Sequence, residues 1–225
     1  MKVSTDACIQ GAWAARQLQE AQALTVLDIG TGTGLLSLML AQLNPGIVVD
    51  AIELNEEAAE QARHNFSASP WSKRLQVYPN ALADFRNAHP AQEQYDFIIC
   101  NPPFFHNQLQ APDKARNDAR HSVSLSKTEL AGTASALLKP SGTLCVLYPA
   151  REWDDWEKAA AQYGLYPQKT LTIHPNSTAA PNRLTGLFSK VTDAPTHKDQ
   201  LVIYEPDKRY TPAFTDLLQA YYLYL

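Results

Sequence analysis

Thr25-Val26-Leu27-Asp28-Ile29-Gly30-Thr31-Gly32-Thr33-Gly34 runs directly into Leu35-Leu36-Ser37-Leu38-Met39-Leu40-Ala41-Gln42-Leu43. Thr25 to Ile29 is short, apolar and β-branched, the composition of a buried strand. Three alternate glycines follow. The apolar run behind them, stopped by Asn44-Pro45-Gly46, has the length and ending of a helix. Strand, glycine loop and helix together lay backbone N–H groups at a helix N-terminus, and the missing Cβ atoms let a ligand come close. The spacing is G-x-G-x-G. The dinucleotide fingerprint is G-x-G-x-x-G, so nicotinamide-dependent oxidoreduction does not fit.

The alternation continues outward from this unit. Ile47 to Ile52 is a second strand ending on Glu53, and a helix opens at Asn55, with Glu56 and Glu57 favouring its dipole, and runs to about Phe66. Leu75 to Tyr78 and Tyr95 to Cys100 are the next two strands. Ser126-Lys127-Thr128-Glu129 is a capping box opening a helix to Leu138, closed by Pro140-Ser141-Gly142. Thr143 to Tyr148 is a fifth strand, and Glu152 to Tyr163 a helix ended by Gly164. The pattern then changes to strands at about 166–173, 184–191 and 200–204. Thr211-Pro212 caps a last helix bearing Phe214, Leu217, Leu218 and Tyr221. Ahead of all this, Thr5 or Asp6 caps a first helix whose apolar side includes Ile9, Trp13 and Leu18. Alternating strands and helices imply one α/β domain over 1–225, a mostly parallel sheet covered on both faces and finished by strands that pair antiparallel. Residues 1–22 form an N-terminal helical segment. Residues 102–125 form a connection long enough to be a functional loop.

That loop leaves the fourth strand at Phe97-Ile98-Ile99-Cys100-Asn101-Pro102-Pro103-Phe104-Phe105-His106. Two prolines cannot continue a sheet ladder; they stiffen a turn at the carboxyl end of a strand, where open α/β sheets place their ligands. An amide, a rigid turn and an aromatic ring within four residues suit a planar group carrying an exocyclic NH2. Cys100 ends an apolar strand and is a poor candidate for a covalent nucleophile. Glu53, behind the glycine loop, is an acceptor-only carboxylate suited to a ribose diol.

Composition bounds the partners. Hydrophobic residues make up 45% of the 225 and charged residues 19%, as in ordinary folded domains. A formal charge of −4 supplies no bulk attraction for nucleic acid, so an RNA partner must be met by a local basic patch. Lys114, Arg116, Arg120 and His121 form such a cluster, interleaved with Asp113 and Asp118. Arg183, Lys190 and the His174-Pro175-Asn176 segment are candidates for the same rim. Three widely spaced cysteines without C-x-x-C read as reduced thiols. No signal peptide or membrane span is recognisable, and the histidines lack metal-ligand spacing. A cytoplasmic, monomeric protein without a metal is expected.

Asp28-Ile29-Gly30-Thr31-Gly32-Thr33-Gly34 resembles motif I of class I S-adenosylmethionine-dependent methyltransferases, and Asn101-Pro102-Pro103-Phe104 resembles their N-P-P-[FY] motif. Met1-Lys2-Val3-Ser4-Thr5-Asp6-Ala7-Cys8-Ile9-Gln10-Gly11-Ala12-Trp13-Ala14 resembles the opening of bacterial methyltransferases that modify adenine 37 of a valine tRNA at N6. So do Asn101-Pro102-Pro103-Phe104-Phe105, Ala119-Arg120-His121 with Leu125-Ser126, and the tyrosine-rich ending around Tyr221, Tyr222 and Leu223. The resemblance implies a Rossmann-like, mostly parallel seven-stranded sheet with antiparallel C-terminal strands. It implies S-adenosylmethionine as cofactor, held by Thr5, Asp6, Asp28, Gly30, Gly32, Gly34, Glu53, Leu54, Asn80, Ala81 and Asn101. Asn80 stands where Asp is commoner in the family, and Asp84 lies near enough to compete for the adenine edge. Asn101, Pro102, Pro103 and Phe104 would be catalytic, with Phe105, Lys114, Arg116, Arg120 and His121 toward a tRNA substrate. The chemistry explains the motif. The Asn101 oxygen and the Pro102 carbonyl each accept one N–H of a delocalised amine, while Phe104 stacks on the ring, a contact worth roughly 1–3 kcal/mol. Guanine-N2 methylation of ribosomal RNA is the nearest alternative. Glutamine-N5 methylation of a protein, which prefers Tyr in place of Phe104, and a non-catalytic cofactor- and RNA-binding module are further ones.

Overall fold

In the computed structural model, residues 3–19, 24–88, 94–102, 125–192 and 195–225 are described. Eight strands, β1 (Leu24–Ile29), β2 (Ile47–Ile52), β3 (Leu75–Tyr78), β4 (Tyr95–Cys100), β5 (Leu138–Pro149), β6 (Tyr166–Asn176), β7 (Arg183–Ser189) and β8 (His197–Tyr204), form one sheet in the order β3-β2-β1-β4-β5-β7-β6-β8. The helices are α1 (Thr5–Gln17), α2 (Leu35–Leu43), α3 (Glu56–Ala68), α4 (Leu82–Ala88), α5 (Lys127–Leu137), α6 (Trp153–Ala161) and α7 (Pro212–Leu218). β1 to β5 run parallel, and β7 runs antiparallel to both β5 and β6.

The sheet holds the eight strands read along the sequence, one more than the seven that the resemblance implies. β8 lies along the outer side of β6 and runs parallel to it, from Lys169↔His197 to Asn176↔Tyr204. Its Leu201 and Ile203 alternate into the core, while its first residues are polar and exposed, which blunts the sheet edge. The antiparallel pairing expected at the C-terminal end is made by β7.

Two apolar layers cover the sheet. On one face α1, α2, α3 and α7 pack over Val26, Val49, Phe97, Ile99, Cys145, Leu147 and Ile173. On the other, α4, α5 and α6 pack over Leu27, Ile29, Ile98, Cys100, Leu144, Val146 and Phe188. The sidedness follows from the period of two along each buried strand. Among the described residues no helix is long and apolar enough to cross a membrane.

Local differences from the sequence reading have physical causes. α1 is capped by Ser4, whose hydroxyl accepts the Ala7 N–H at 3.2 Å, one residue before Thr5. Thr5 and Asp6 therefore sit in the first helical turn. α1 is also buried from Cys8 through Ala15 rather than along one stripe, because it lies between the sheet, α2 and α7. Gly11 makes this possible: a Cβ there would meet the Met39 sulfur at 2.7 Å. α4 has only seven residues, too few to show helical periodicity; Leu82 and Phe85 bury its inner side. β5 begins at Leu138, earlier than the reading from Thr143. Asn55, Ser126 and Thr211 cap their helices as read, each accepting a backbone N–H three residues on.

The β1–α2 loop is shaped by a carboxylate with no exposure at all. Asp28 Oδ2 accepts the Thr31 hydroxyl at 2.6 Å, the Ser37 hydroxyl at 2.7 Å and the Ser37 N–H at 3.2 Å. Its other oxygen is buried with no partner among the described residues. Burial pushes the Asp28 carboxyl up to about 6, against the pull of the Ser37 and Thr31 hydrogen bonds, and the nearby Glu53 charge adds to the rise.

The folded chain holds this proton to about pH 6, whereas the unfolded chain releases it near the ordinary aspartate value of about 4. Stability from this group is therefore complete below about pH 4 and is lost as pH rises through about 6, on the order of 3 kcal/mol in all. Asp28→Asn keeps an acceptor oxygen for Thr31 and Ser37 and does not titrate. In urea unfolding without cofactor, the stability of Asp28→Asn relative to the unsubstituted protein should rise by about 3 kcal/mol between pH 4 and pH 7.5. A difference independent of pH would show that the carboxyl titrates normally.

Candidate active site

The strand order reverses direction at β1, which has β2 on one side and β4 on the other. A crevice opens at such a switch point, outside the carboxyl ends of the strands. Register keeps three of those ends level: Ile29 is opposite Ile52 on β2 and Cys100 on β4. The glycine loop, Glu53 and Asn101 therefore emerge side by side.

The loop is tied to β2 by its backbone. The Gly30 and Thr31 N–H groups donate to the Ile52 carbonyl at 2.9 and 3.0 Å. Gly30 has φ +72°, and a Cβ built there would have nothing within 4 Å, so the loop has open space above it. Gly34, at φ +86°, caps α2, and a Cβ there would strike the Phe66 ring. Glu53 braces the same loop from β2: one carboxylate oxygen accepts the Gly32 N–H at 2.8 Å, the other the Asn55 N–H at 2.8 Å. Each oxygen keeps a second lone pair. Leu54 beside it is 52% exposed, an uncovered apolar surface next to a carboxylate. Open backbone, an acid with acceptor capacity to spare and an adjacent apolar side chain are groups that suit a nucleoside-type cofactor such as S-adenosylmethionine.

Asn80 follows β3, whose Tyr78 pairs with Ile52 of β2, so it stands at the strand end next to Glu53. Its N–H donates to the Tyr78 carbonyl at 3.0 Å, and the Ala81 carbonyl starts α4 by accepting from Phe85. Asp84 lies within α4, in its first turn.

Asn101 is half-buried and Pro102 buried immediately after β4. Pro103, Phe104, Phe105, His106, Lys114, Arg116, Arg120 and His121 lie outside the described residues. Burial raises the Cys100 thiol well above its ordinary range, with the charge of Asp28 adding to it, so no thiolate nucleophile is available there.

α1 reaches this edge from outside the alternating order. Asp6 pairs with Arg183 at 3.0 Å, which holds the first turn of α1 against the start of β7. Tyr222 from the C-terminal segment lies beside Thr5 and Cys8. One turn along, Gln10 is fully buried and donates to the Cys100 carbonyl at 2.9 Å. The proposed basic rim is divided: Arg183 opens β7 opposite Pro149, whereas Lys190 follows the far end of β7 and donates to the Leu138 carbonyl at 2.9 Å. Gln10 was not singled out from the sequence, and Tyr222 only as part of the tyrosine-rich ending, with no role given to it. A glutamine set among Cys8, Ile9, Gly11, Ala12 and Trp13 is the signal that marks Gln10; nothing local marks Tyr222. Among the described residues no group of three His, Cys, Asp or Glu side chains is placed to hold a metal ion.

Comparison with known proteins agrees with this geometry. The family model described as "Methyltransferase small domain" matches residues 12–150. The tRNA1(Val) (adenine(37)-N6)-methyltransferase of Tolumonas auensis is 39% identical over 99% of this chain and 90% of its own length. The enzyme of the same name from Shewanella frigidimarina is 36% identical over 100% of this chain and 94% of its own. Among solved structures, a predicted O-methyltransferase from Agrobacterium tumefaciens superposes with TM-score 0.76 at 20% identity, covering 98% of each chain. The ribosomal protein L11 methylase of Lactobacillus delbrueckii gives 0.58 at 15% identity over 84% of this chain and 81% of that one. At those identities the structures speak for the fold alone. The family match and the full-length relatives carry the rest: this chain belongs to the methyltransferase small-domain family, together with the tRNA1(Val) (adenine(37)-N6)-methyltransferases.

Proposed function

We propose that this chain methylates the exocyclic N6 of an adenine in tRNA, with adenine 37 of a valine tRNA as the target and the cytoplasm as the place of action. The observation that carries the reading is the coincidence of two things: relatives of that name aligned along nearly the whole chain, and Asn101-Pro102 standing level with the glycine loop. S-adenosylmethionine, when bound, supplies an electrophilic methyl group on a sulfonium.

The chain's own residues have to solve the weakness of the nucleophile. An exocyclic amine donates its lone pair into the ring and is flat. The Asn101 side-chain oxygen and the Pro102 carbonyl accept its two N–H groups and draw the nitrogen toward tetrahedral geometry, with its lone pair aimed at the methyl. Positive charge grows on that nitrogen as the new C–N bond forms and the old C–S bond breaks. Both acceptors thus hold the transition state more tightly than the ground state. The extra proton leaves to solvent, so no dedicated base is needed. A target adenine in an anticodon loop must be turned outward to reach Asn101. Phe104 and Phe105 are proposed to stack on it, and Lys114, Arg116, Arg120 and His121 to meet the RNA backbone. Glu53 is assigned to the ribose, Asn80 to the adenine of the cofactor, and Thr5 and Asp6 to its methionine end.

Incubation with labelled S-adenosylmethionine and unmodified total tRNA or ribosomal RNA, followed by nucleoside mass spectrometry, tests the substrate. N6-methyladenosine in the tRNA fraction is the expected product; N2-methylguanosine in ribosomal RNA would replace this reading with its nearest alternative. Two substitutions separate the roles. Asn101→Ala should abolish transfer while the cofactor dissociation constant changes by less than about threefold, and full activity in that variant would sink the amine clamp. Glu53→Ala should weaken cofactor binding by about ten- to a hundredfold in calorimetry, the loss of charge-assisted hydrogen bonds worth about 1.5–3 kcal/mol. Unchanged affinity would refute the ribose assignment.

A further inference from the structure

Gln10 is the least expected polar group in the molecule. It is fully buried in the middle of α1, between residues that are themselves buried. Its Nε2 donates to the Cys100 carbonyl at 2.9 Å and approaches the Cys145 sulfur at 3.8 Å. Its Oε1 is buried with no partner among the described residues. Beyond it, the Cys145 sulfur meets the Thr185 hydroxyl at 3.7 Å, and that hydroxyl donates to the Val146 carbonyl at 2.9 Å. A chain of polar contacts therefore runs beneath α1 from the end of β4 to β5 and β7.

We propose that Gln10 is a positioning residue for the Asn101-Pro102 turn. The Cys100 carbonyl belongs to the same rigid peptide plane as the Asn101 nitrogen and α-carbon. Fixing that oxygen fixes the direction in which Asn101 leaves the strand, and with it the line along which its side-chain oxygen and the Pro102 carbonyl point. The turn needs such a hold because β4 stops there: the prolines that follow offer no N–H to a neighbouring strand. The hold comes from α1, the helix that also places Thr5 and Asp6, and Asp6 lies four residues from Gln10 on the same face. The Asp6–Arg183 pair, the Gln10 contact and the Gln17–Lys169 contact at 3.5 Å thus register α1 on the sheet at three successive heights. An apolar side chain would fill the Gln10 volume without burying an unpartnered oxygen, so orientation rather than packing accounts for the amide. The inference rests on the amine-clamp reading of Asn101 and Pro102.

The test compares Gln10→Met, which fills the space without a donor, with Gln10→Glu. A buried glutamic acid beside a carbonyl keeps its proton well above the ordinary range, and its O–H can donate where Nε2 did. Once ionised it repels the same carbonyl. The titratable groups near this position are the Cys100 and Cys145 thiols, both raised by burial, the latter to about 12, the Asp28 carboxyl, which burial raises to about 6 and whose charge acts on Cys100, and the Asp6–Arg183 ion pair one turn away. Assays use whichever RNA the unsubstituted protein labels, so a wrong substrate assignment shows in that protein alone, while the ratio of variant to parent still tests Gln10. Gln10→Met should keep its melting temperature and its cofactor dissociation constant within about twofold, with kcat down by about ten- to a hundredfold, as expected for a misplaced reacting group. Gln10→Glu should be active at low pH and lose kcat relative to the unsubstituted protein as pH rises. An unchanged kcat in Gln10→Met, or a fall matched by equal loss of cofactor affinity, would overturn the proposal. If Gln10→Met does not fold, the pH profile of Gln10→Glu decides, and a profile parallel to the parent's would overturn it.

Discussion

Three hydrogen bonds converge on one buried carboxylate oxygen of Asp28, from the Thr31 and Ser37 hydroxyls and the Ser37 N–H. A carboxylate without exposure has few ways to be tolerated, and donors on both sides of the loop are the one used here. Thr31 belongs to the glycine turn and Ser37 to the first turn of α2, so the loop between them is pinned at both ends. The pinned backbone turns the Gly30 and Thr31 N–H groups onto the Ile52 carbonyl and the Gly32 N–H onto Glu53. One constraint, paid for in a raised carboxyl, thereby holds the ends of β1 and β2 and the start of α2 in a single arrangement. A ligand-binding edge is rigid for that reason before any ligand arrives.

The second requirement is that segments far apart in sequence meet at this edge. Alternating strands and helices bring the loop, Glu53, Asn80 and Asn101 together through parallel pairing alone. α1 needs its own attachments, since it precedes the alternating pattern. It is fastened to the sheet by Asp6, Gln10 and Gln17, and to the C-terminal region by the Arg16–Asp216 ion pair at 2.7 Å, with Tyr222 packed against the same core. The exposed ion pair contributes little, on the order of 0–1 kcal/mol. The buried contacts and the close approach at Gly11 carry the docking. Tyr221 completes it by donating to the Met39 carbonyl of α2 at 3.0 Å. The tyrosines near the C-terminus are thus structural partners of α1 and α2.

The glycine loop, the flanking strands and the caps at Asn55, Ser126 and Thr211 were readable because their causes are local: β-branched runs, left-handed turns and side-chain oxygens three residues from the N–H they accept. Ser4 and α4 were misjudged at the same local level, since adjacent Ser4, Thr5 and Asp6 are equally good caps and seven residues are too short to show a period. The position of β8, the separation of Lys190 from Arg183 and the contacts of Gln10 and Tyr222 depend on which strands become neighbours. Nothing within a few residues of those positions encodes that. The placement of Glu53 and Asn101 beside the glycine loop was legible from order and spacing, whereas the residue that holds the Cys100 carbonyl was visible only as an amide among apolar neighbours.

Charge leaves a consistent constraint on how RNA is met. The chain carries −4 overall, and several described cations toward the carboxyl edge are matched to carboxylates: Arg183 to Asp6, Lys127 to Glu152 at 3.2 Å, Arg209 to Asp207 at 2.6 Å. Paired cations project little field, so long-range steering of a polyanion from this part of the surface is weak. Under the proposed mechanism, discrimination there comes from short-range geometry: two carbonyl-type acceptors at a fixed turn, which satisfy an NH2 group and offer nothing to a ring nitrogen that lacks hydrogen. An amine clamp chooses the base and the atom. It does not by itself choose among the many adenines of an RNA, a task that the proposed reading gives to the basic cluster at Lys114, Arg116, Arg120 and His121.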